Sequence, residues 1–208
     1  MMTLSPSRFR LAAVAVAALL GACASTPQLD AQWTDPQLGA QTGFLHGATV
    51  LVVCDAYDLV VRQLCQEQVA SEVVAHGATP VFAAPETPIA TDRAVDGQLL
   101  PAARTAGAKA LLVVTIAPAL TDVSPGFSIG IGGFGFGRNS ALGVGVSAPI
   151  GGSRVTTGYS ANGRVTDVAT GRLLWAARAV TPPSPDVNAQ LGELSKTLLG
   201  AADKTGLF

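Results

Sequence analysis

The chain has few of the residues that bind metal ions or carry out nucleophilic catalysis. Its 208 residues include only two histidines and three cysteines, and its carboxylates are not clustered. Zinc and similar ions need about three or four converging ligands. We therefore expect no metal site, no cofactor and no enzymatic activity.

Two glycine motifs match catalytic signatures but lack the surroundings those signatures need. Residues 126–130 have the nucleophile-elbow pattern around Ser128, and residues 130–135 have the dinucleotide-binding pattern. An elbow serine needs a downstream histidine, whereas His46 and His76 both precede it. A dinucleotide site needs a helix directly after the glycines, and no helical pattern follows. The sequence predicts neither activity, and we expect both histidines to be solvated loop residues.

Positive charge is also scarce. Only 13% of the residues are charged, and lysine occurs only at Lys109, Lys196 and Lys204. Nucleic-acid binding needs a basic face or stripe, so nucleic acid is not expected as a partner.

The amino terminus has the pattern of a secretion signal. Arg8 and Arg10 precede the apolar run 11–20, which is shorter than the roughly 20 residues of a membrane-spanning helix. A polar stretch begins immediately afterwards. We predict that residues 1–22 are a signal peptide, cleaved between Ala22 and Cys23.

Residues 20–23 read Leu-Gly-Ala-Cys, which resembles the lipobox of bacterial lipoproteins. The resemblance implies a diacylglyceryl thioether on Cys23 and usually an acyl chain on its new amine. Two chains already give stable membrane anchoring. Ala24 stands where aspartate would favour the inner membrane, so the expected location is the periplasmic face of the outer membrane.

The mature chain is long enough for one domain with a substantial core. Residues 23–46 are rich in proline, glutamine, glycine and threonine without an apolar period, which predicts a flexible tether. Trp33 within it is expected to pack on the domain edge. Residues 47–208 are predicted to form a single α/β domain.

The first half of this domain has a βαβαβ pattern, which predicts a parallel sheet with right-handed crossovers. Asp55 and Asp58 offer caps for the first helix, which closes at His76 and Gly77. The predicted elements are strand 48–54, a helix ending near residue 75, strand 79–83, helix 99–106 and strand 109–116.

The second half is predicted to be antiparallel. Segments 164–168 and 172–178 form a hairpin with Gly171 at the turn. A closing helix is expected to begin with Ser184 as N-cap and Pro185 in its first turn. Its apolar stripe is Val187, Leu191, Leu194 and Leu198. The predicted fold class is α/β with a mixed sheet and a C-terminal helix.

The order of these pieces resembles a group of small proteobacterial lipoproteins of unknown function. The likeness rests on the sequences Ala-Gly-Ala-Lys-Ala-Leu-Leu-Val at 106–113 and Thr-Asp-Val-Ala-Thr-Gly-Arg-Leu-Leu-Trp at 166–175. More remotely, the chain is similar to the α/β domain of the curli-secretion lipoprotein and to the amino-terminal domain of TolB. The resemblance implies a fold and an envelope location, and it assigns no active-site residue.

Cys54 and Cys65 are the remaining cysteines, and an oxidising periplasm permits a disulfide between them. If the helix begins near Asp58, Cys65 lies about 10 Å along it. Bridged Cα atoms must approach to about 4.4–6.8 Å. The sequence leaves open a disulfide and a pair of buried thiols.

The glycine-rich segment 126–152 is predicted to be a hairpin in which large apolar residues alternate with glycine or serine. Three interpretations remain open: a hairpin or loop that extends the sheet, a surface for a partner protein or for self-association, and a membrane-crossing hairpin of an oligomer. The third fits arms of about 9–11 residues, and the curli resemblance suggests it, although only one candidate hairpin is present. The candidate contact residues are Phe127, Ile129, Ile131, Phe134, Phe136, Leu142, Val144 and Val146.

The sequence thus favours a membrane-anchored periplasmic lipoprotein that acts as a binding or assembly module of the envelope. The alternative is an oligomeric outer-membrane channel or secretion component that inserts the glycine-rich hairpin.

Overall fold

The computed structural model describes residues 26–40, 43–83, 95–124 and 154–208. Within them the chain forms a six-stranded mixed sheet in the order β1-β6-β5-β4-β2-β3. The strands are β1 (Gln28–Thr34), β2 (Thr49–Asp55), β3 (Thr79–Phe82), β4 (Ala110–Ser124), β5 (Arg154–Asp167) and β6 (Leu173–Val180). The helices are α1 (Leu59–Ala75), α2 (Val95–Thr105) and α3 (Val187–Lys204), with a 3-10 turn at Leu38–Ala40. The predicted fold class is confirmed.

Strands β3 and β4 both pair with β2 in parallel, one on each side. The apolar residues of β2 alternate between two cores: Val52 contacts the core that contains α1, and Val53 contacts the core that contains α2. The two crossover helices therefore cover opposite faces of the sheet. In open α/β sheets, ligands usually bind outside the carboxyl ends of the parallel strands, which here are those of β2, β3 and β4.

The larger core lies between the sheet and the pair α1 and α3. Trp175 on β6 is fully buried there, and Leu191, Leu194 and Leu198 of the predicted stripe are each at most 1% exposed. Gly163 on β5 makes room for the indole, since a Cβ at that position would lie 3.2 Å from the Trp175 ring.

The ends of α1 follow the prediction. The Asp58 carboxylate accepts hydrogen bonds from the backbone N–H groups of Val60 and Val61 at 2.8 and 3.0 Å. Gly77, directly after the C-cap His76, has φ +81°. The turn residue Gly171 likewise has φ +70°, as the predicted hairpin requires.

The start of α3 differs from the prediction. The N-cap is Asp186, whose carboxylate accepts from the backbone N–H of Ala189 at 2.9 Å. The Ser184 hydroxyl accepts instead from the Asp186 N–H, and the Ser184 backbone forms a β-bridge with Thr157. Because Ser184 belongs to this extended segment, the helix begins two residues later than expected.

The predicted flexible tether is wrong for most of its described length. Residues 28–34 are β1, an edge strand antiparallel to β6, and Leu38 and Leu45 are buried in the core. Six of the seven β1 residues are exposed. The strand is held mainly by backbone hydrogen bonds to β6 along one edge, and not by burial of its side chains. Its composition therefore resembles that of a linker. Trp33 lies on this edge strand opposite Ala176, with 47% of its surface exposed.

Candidate interaction surface

Several strand ends meet at one end of the sheet, which we call the exit end. It comprises the first residue of β1, the last residues of β2 and β6, and the part of β4 and β5 beyond them. In this region Gln28 pairs with Val180, and Val180 pairs with Ser160, which pairs with Ala117. The chain therefore enters β1 and leaves β4 at the same end of the fold.

Strands β4 and β5 continue beyond the rest of the sheet as a two-stranded ribbon, formed by residues 118–124 and 154–159. Pairing proceeds through a bulge between Pro118 and Leu120 and reaches Ser124 opposite Arg154. Seven residues of β4 past Ala117 span about 20 Å at the usual rise of a strand. Ser124 and Arg154, which flank the segment 125–153 in the sequence, are therefore adjacent at the tip of this ribbon.

The base of the ribbon is held by a buried polar network. The side chain of Gln190, 5% exposed, donates to the carbonyls of Thr157 at 3.1 Å and Ser184 at 2.9 Å. Its amide oxygen accepts from the hydroxyl of Thr181 at 2.8 Å, and that hydroxyl oxygen accepts from the Tyr159 N–H at 3.1 Å. Satisfied networks of this kind are rigid, because the low dielectric strengthens each bond.

Backbone packing reinforces this base. At Gly158 an added Cβ would lie 2.4 Å from the carbonyl oxygen of Thr181. Only glycine lets the 181–184 segment pass so close to β5. The direction in which the ribbon leaves the domain is therefore fixed by both side-chain and backbone contacts.

A cluster of exposed apolar side chains lies at the same end, where β2 turns into α1. We call it the Tyr57 patch: Tyr57 is fully exposed, Leu59 is 70% exposed and Val60 is 66% exposed. The backbone beneath it is ordered by the Asp58 cap and by a hydrogen bond from the Arg62 guanidinium to the carbonyl of Ala56 at 2.9 Å. This cluster was not predicted from the sequence, in which Tyr57, Leu59 and Val60 surround the capping residue Asp58.

The disulfide left open by the sequence is present. Cys54 and Cys65 are bonded, with their Cα atoms 6.1 Å apart and both residues buried. The chain reverses direction after Asp55, and α1 packs back against β2. The length of helix between Asp58 and Cys65 therefore does not separate Cys65 from Cys54. The bond links the two elements on either side of the Tyr57 patch.

Most of the predicted site residues lie outside the described residues. This applies to Ala22 and Cys23, and to the apolar set Phe127, Ile129, Ile131, Phe134, Phe136, Leu142, Val144 and Val146. The predictions for them stay predictions. Both histidines are described: His46 is exposed, and the ring of His76 is half-buried, 5.1 Å from that of Phe208.

Within the described ranges, no three histidine, cysteine or acidic side chains are grouped so that they could bind a metal ion. None of the helices in those ranges is long and apolar enough to cross a membrane.

No protein-family model matches the chain, and no curated protein is similar to it in sequence. Among solved structures, the PelC dodecamer from Paraburkholderia phytofirmans is 12% identical, with 81% of this chain and 94% of that chain covered and a TM-score of 0.46. Lipoprotein GNA1162 from Neisseria meningitidis is 17% identical, with 76% of this chain and 99% of that chain covered and a TM-score of 0.40. Identities this low transfer no residue role.

Proposed function

We propose that this protein is a lipid-anchored, non-catalytic binding or assembly module on the periplasmic face of the outer membrane, and that it makes its contacts through the exit end. One observation carries the proposal: the chain that leads from Cys23 enters the fold at Gln28, at the same end from which the ribbon projects.

The distance between anchor and domain is short. Cys23 lies five residues before Gln28, and five extended residues span at most about 17 Å. A lipid on Cys23 therefore keeps the exit end beside the membrane. The ribbon is thereby available to other envelope components near that surface.

The glycine-rich segment is the proposed contact element. In the sequence its alternating apolar residues lie between the two strands of the ribbon, which remain paired up to Ser124 and Arg154. Exposed alternating strands recruit other strands by edge pairing. The same antiparallel arrangement supports a second candidate, an oligomeric channel in which hairpins from several copies cross the membrane.

Anchoring is tested by intact mass spectrometry of the protein extracted from membranes. We expect a chain that begins at Cys23 and carries diacylglycerol and a further acyl chain. A Cys23→Ser variant should lack the modification and should no longer sediment with membranes. Unmodified wild-type protein would contradict the proposal.

Assembly is tested by a deletion of residues 127–150. It leaves Pro125, Gly126, Gly151, Gly152 and Ser153 between Ser124 and Arg154, and five residues suit a hairpin connection. Light scattering of the detergent-extracted protein should show a complex that the deletion reduces to a monomer with unchanged melting temperature. A wild-type monomer would contradict self-assembly.

A length-matched variant, in which Phe127, Phe134 and Phe136 become serine, distinguishes the loss of apolar contacts from the loss of chain length.

Release of a dye from vesicles containing the wild-type complex would favour the channel. Vesicles that stay sealed would favour the module.

A further inference from the structure

We infer that β1 is a detachable strand, which leaves β6 as far as Asp35 while the rest of the domain stays folded. Its release lengthens the link between the domain and Cys23. The detachment is argued from the described residues alone, whereas its consequence at the membrane rests on the proposed function, because it needs the lipid on Cys23.

Strand β1 is held mainly by its backbone. It pairs with β6 along one edge, its other edge has no partner strand in the described sheet, and six of its seven side chains are exposed. None of its seven residues belongs to either buried core. Segments with few buried apolar contacts and solvent-exposed backbone hydrogen bonds have the lowest free energies of local opening.

Two features weaken the pairing near the amino-terminal end of β1. The register with β6 shifts between Leu29 and Ala31, so that Asp30 is skipped in the pairing. The Asp30 carboxylate lies 3.6 Å from the Arg178 guanidinium, and both side chains are about half exposed. Ion pairs in such positions contribute little to stability. Opening should therefore begin at Gln28.

The chain is attached firmly just after the other end of β1. The N–H of Asp35 donates to the Leu174 carbonyl at 2.8 Å, and its carboxylate, 10% exposed, lies 2.6 Å from the Arg172 guanidinium. The Asp35 carbonyl accepts from the N–H of Leu38 at 2.9 Å, and Leu38 is buried in the larger core. Release of the strand therefore stops at Asp35.

The rest of the sheet does not depend on β1. Strand β6 is paired along its whole length with β5 on its other edge. Its residues Trp175, Ala177 and Ala179 belong to the larger core, to which β1 contributes no buried residue. Release of β1 thus leaves a five-stranded sheet with its core intact and with β6 as the new edge.

Release changes the reach of the anchored chain. With β1 in place, Cys23 lies five residues before the first paired residue, Gln28, and this link spans at most about 17 Å. With β1 released, Cys23 lies twelve residues before Asp35, and the link spans at most about 40 Å. The attached state holds the exit end beside the membrane, and the released state lets it contact partners farther away.

The test is native-state hydrogen exchange of the full-length mature lipoprotein in detergent micelles, with and without urea below the unfolding transition. We expect the β1 amides that bond to β6 to exchange at least about 100-fold faster than those of β5. Their rates should hardly depend on urea, because a local opening exposes little surface. The Asp35 amide should exchange as slowly as those of β5.

The matched control is β3, the other edge strand of the sheet. It lies between two crossover helices in the chain, and its Val81 packs against the smaller core. The Thr79 amide, which donates to the Ala48 carbonyl at 2.8 Å, should therefore exchange more slowly than the amides of β1.

A cross-strand disulfide provides a second measurement. Gln32 and Ala177 are direct register partners in β1 and β6, and the Cα atoms of antiparallel partners lie about 4.5–5.5 Å apart, which a disulfide can bridge. A Gln32→Cys/Ala177→Cys variant should slow exchange in β1 to within about tenfold of that in β5. The variant Gln32→Ser/Ala177→Ser, matched in size, should leave β1 exchange fast.

Exchange in β1 that is as slow and as urea-dependent as that in β5 would overturn the inference, because β1 would then open only when the domain unfolds. Equal rates in β1 and β3 would show general fraying of both sheet edges and would also overturn it. Intact mass of the same samples shows whether the lipid is present. Missing lipid would refute the proposed function, whereas lipidated protein with slow exchange in β1 would refute only the inference.

Discussion

The side-chain amide of Gln190 donates a hydrogen bond to the backbone carbonyl of Thr157 at 3.1 Å, and so joins α3 to the ribbon at the exit end. The same amide also bonds Ser184 and Thr181. One glutamine thus fixes the base of the element that carries the glycine-rich segment.

Replacement of Gln190 by leucine should destabilise the fold by about 1–3 kcal/mol, because the partly buried Thr157 and Ser184 carbonyls and the buried Thr181 hydroxyl lose their partner. Urea denaturation measures the change, and hydrogen exchange should increase in residues 156–160. Gln68→Leu is the control, since its bond to Asn188 is exposed. Equal costs for the two variants would contradict the role of Gln190.

Gly158→Ala should cost at least as much, because the new methyl would overlap the Thr181 carbonyl and the 181–184 backbone would have to shift. The matched control is Gly97→Ala in α2, where no atom lies within 4 Å of the added Cβ. Alanine there should stabilise the helix by up to about 1 kcal/mol. Thermal denaturation of both variants checks the opposite signs.

The disulfide should contribute about 2–4 kcal/mol to stability, mainly by restricting the unfolded chain. A Cys54→Ala/Cys65→Ala variant should unfold at lower urea concentration, and a reductant should shift the wild type by a similar amount while it leaves the variant unchanged. A reductant that shifts both proteins alike would contradict this explanation.

The parts that were predicted correctly have side-chain patterns that report burial. The β-branched run of β2 and the period of Leu191, Leu194 and Leu198 in α3 are examples. By contrast, β1 is held by backbone pairing on one edge and its side chains are largely exposed, so burial did not mark it. The short alternation of Leu29, Ala31 and Trp33 with polar residues was the available signal. The Tyr57 patch was missed for a related reason: apolar residues at a helix start suggest burial, and only the fold shows that these side chains are exposed.

The attachment of β1 is open to a direct test through Asp35, just after the strand. Its carboxylate, 10% exposed, lies 2.6 Å from the Arg172 guanidinium and also accepts from the Gln37 N–H. Arg172→Gln should leave this carboxylate poorly paired, at a cost of about 1–3 kcal/mol, and should speed hydrogen exchange in β1. Arg178→Gln is the control, because its pair with Asp30 is about half exposed on both sides and 3.6 Å long, where ion pairs contribute roughly 0–1 kcal/mol.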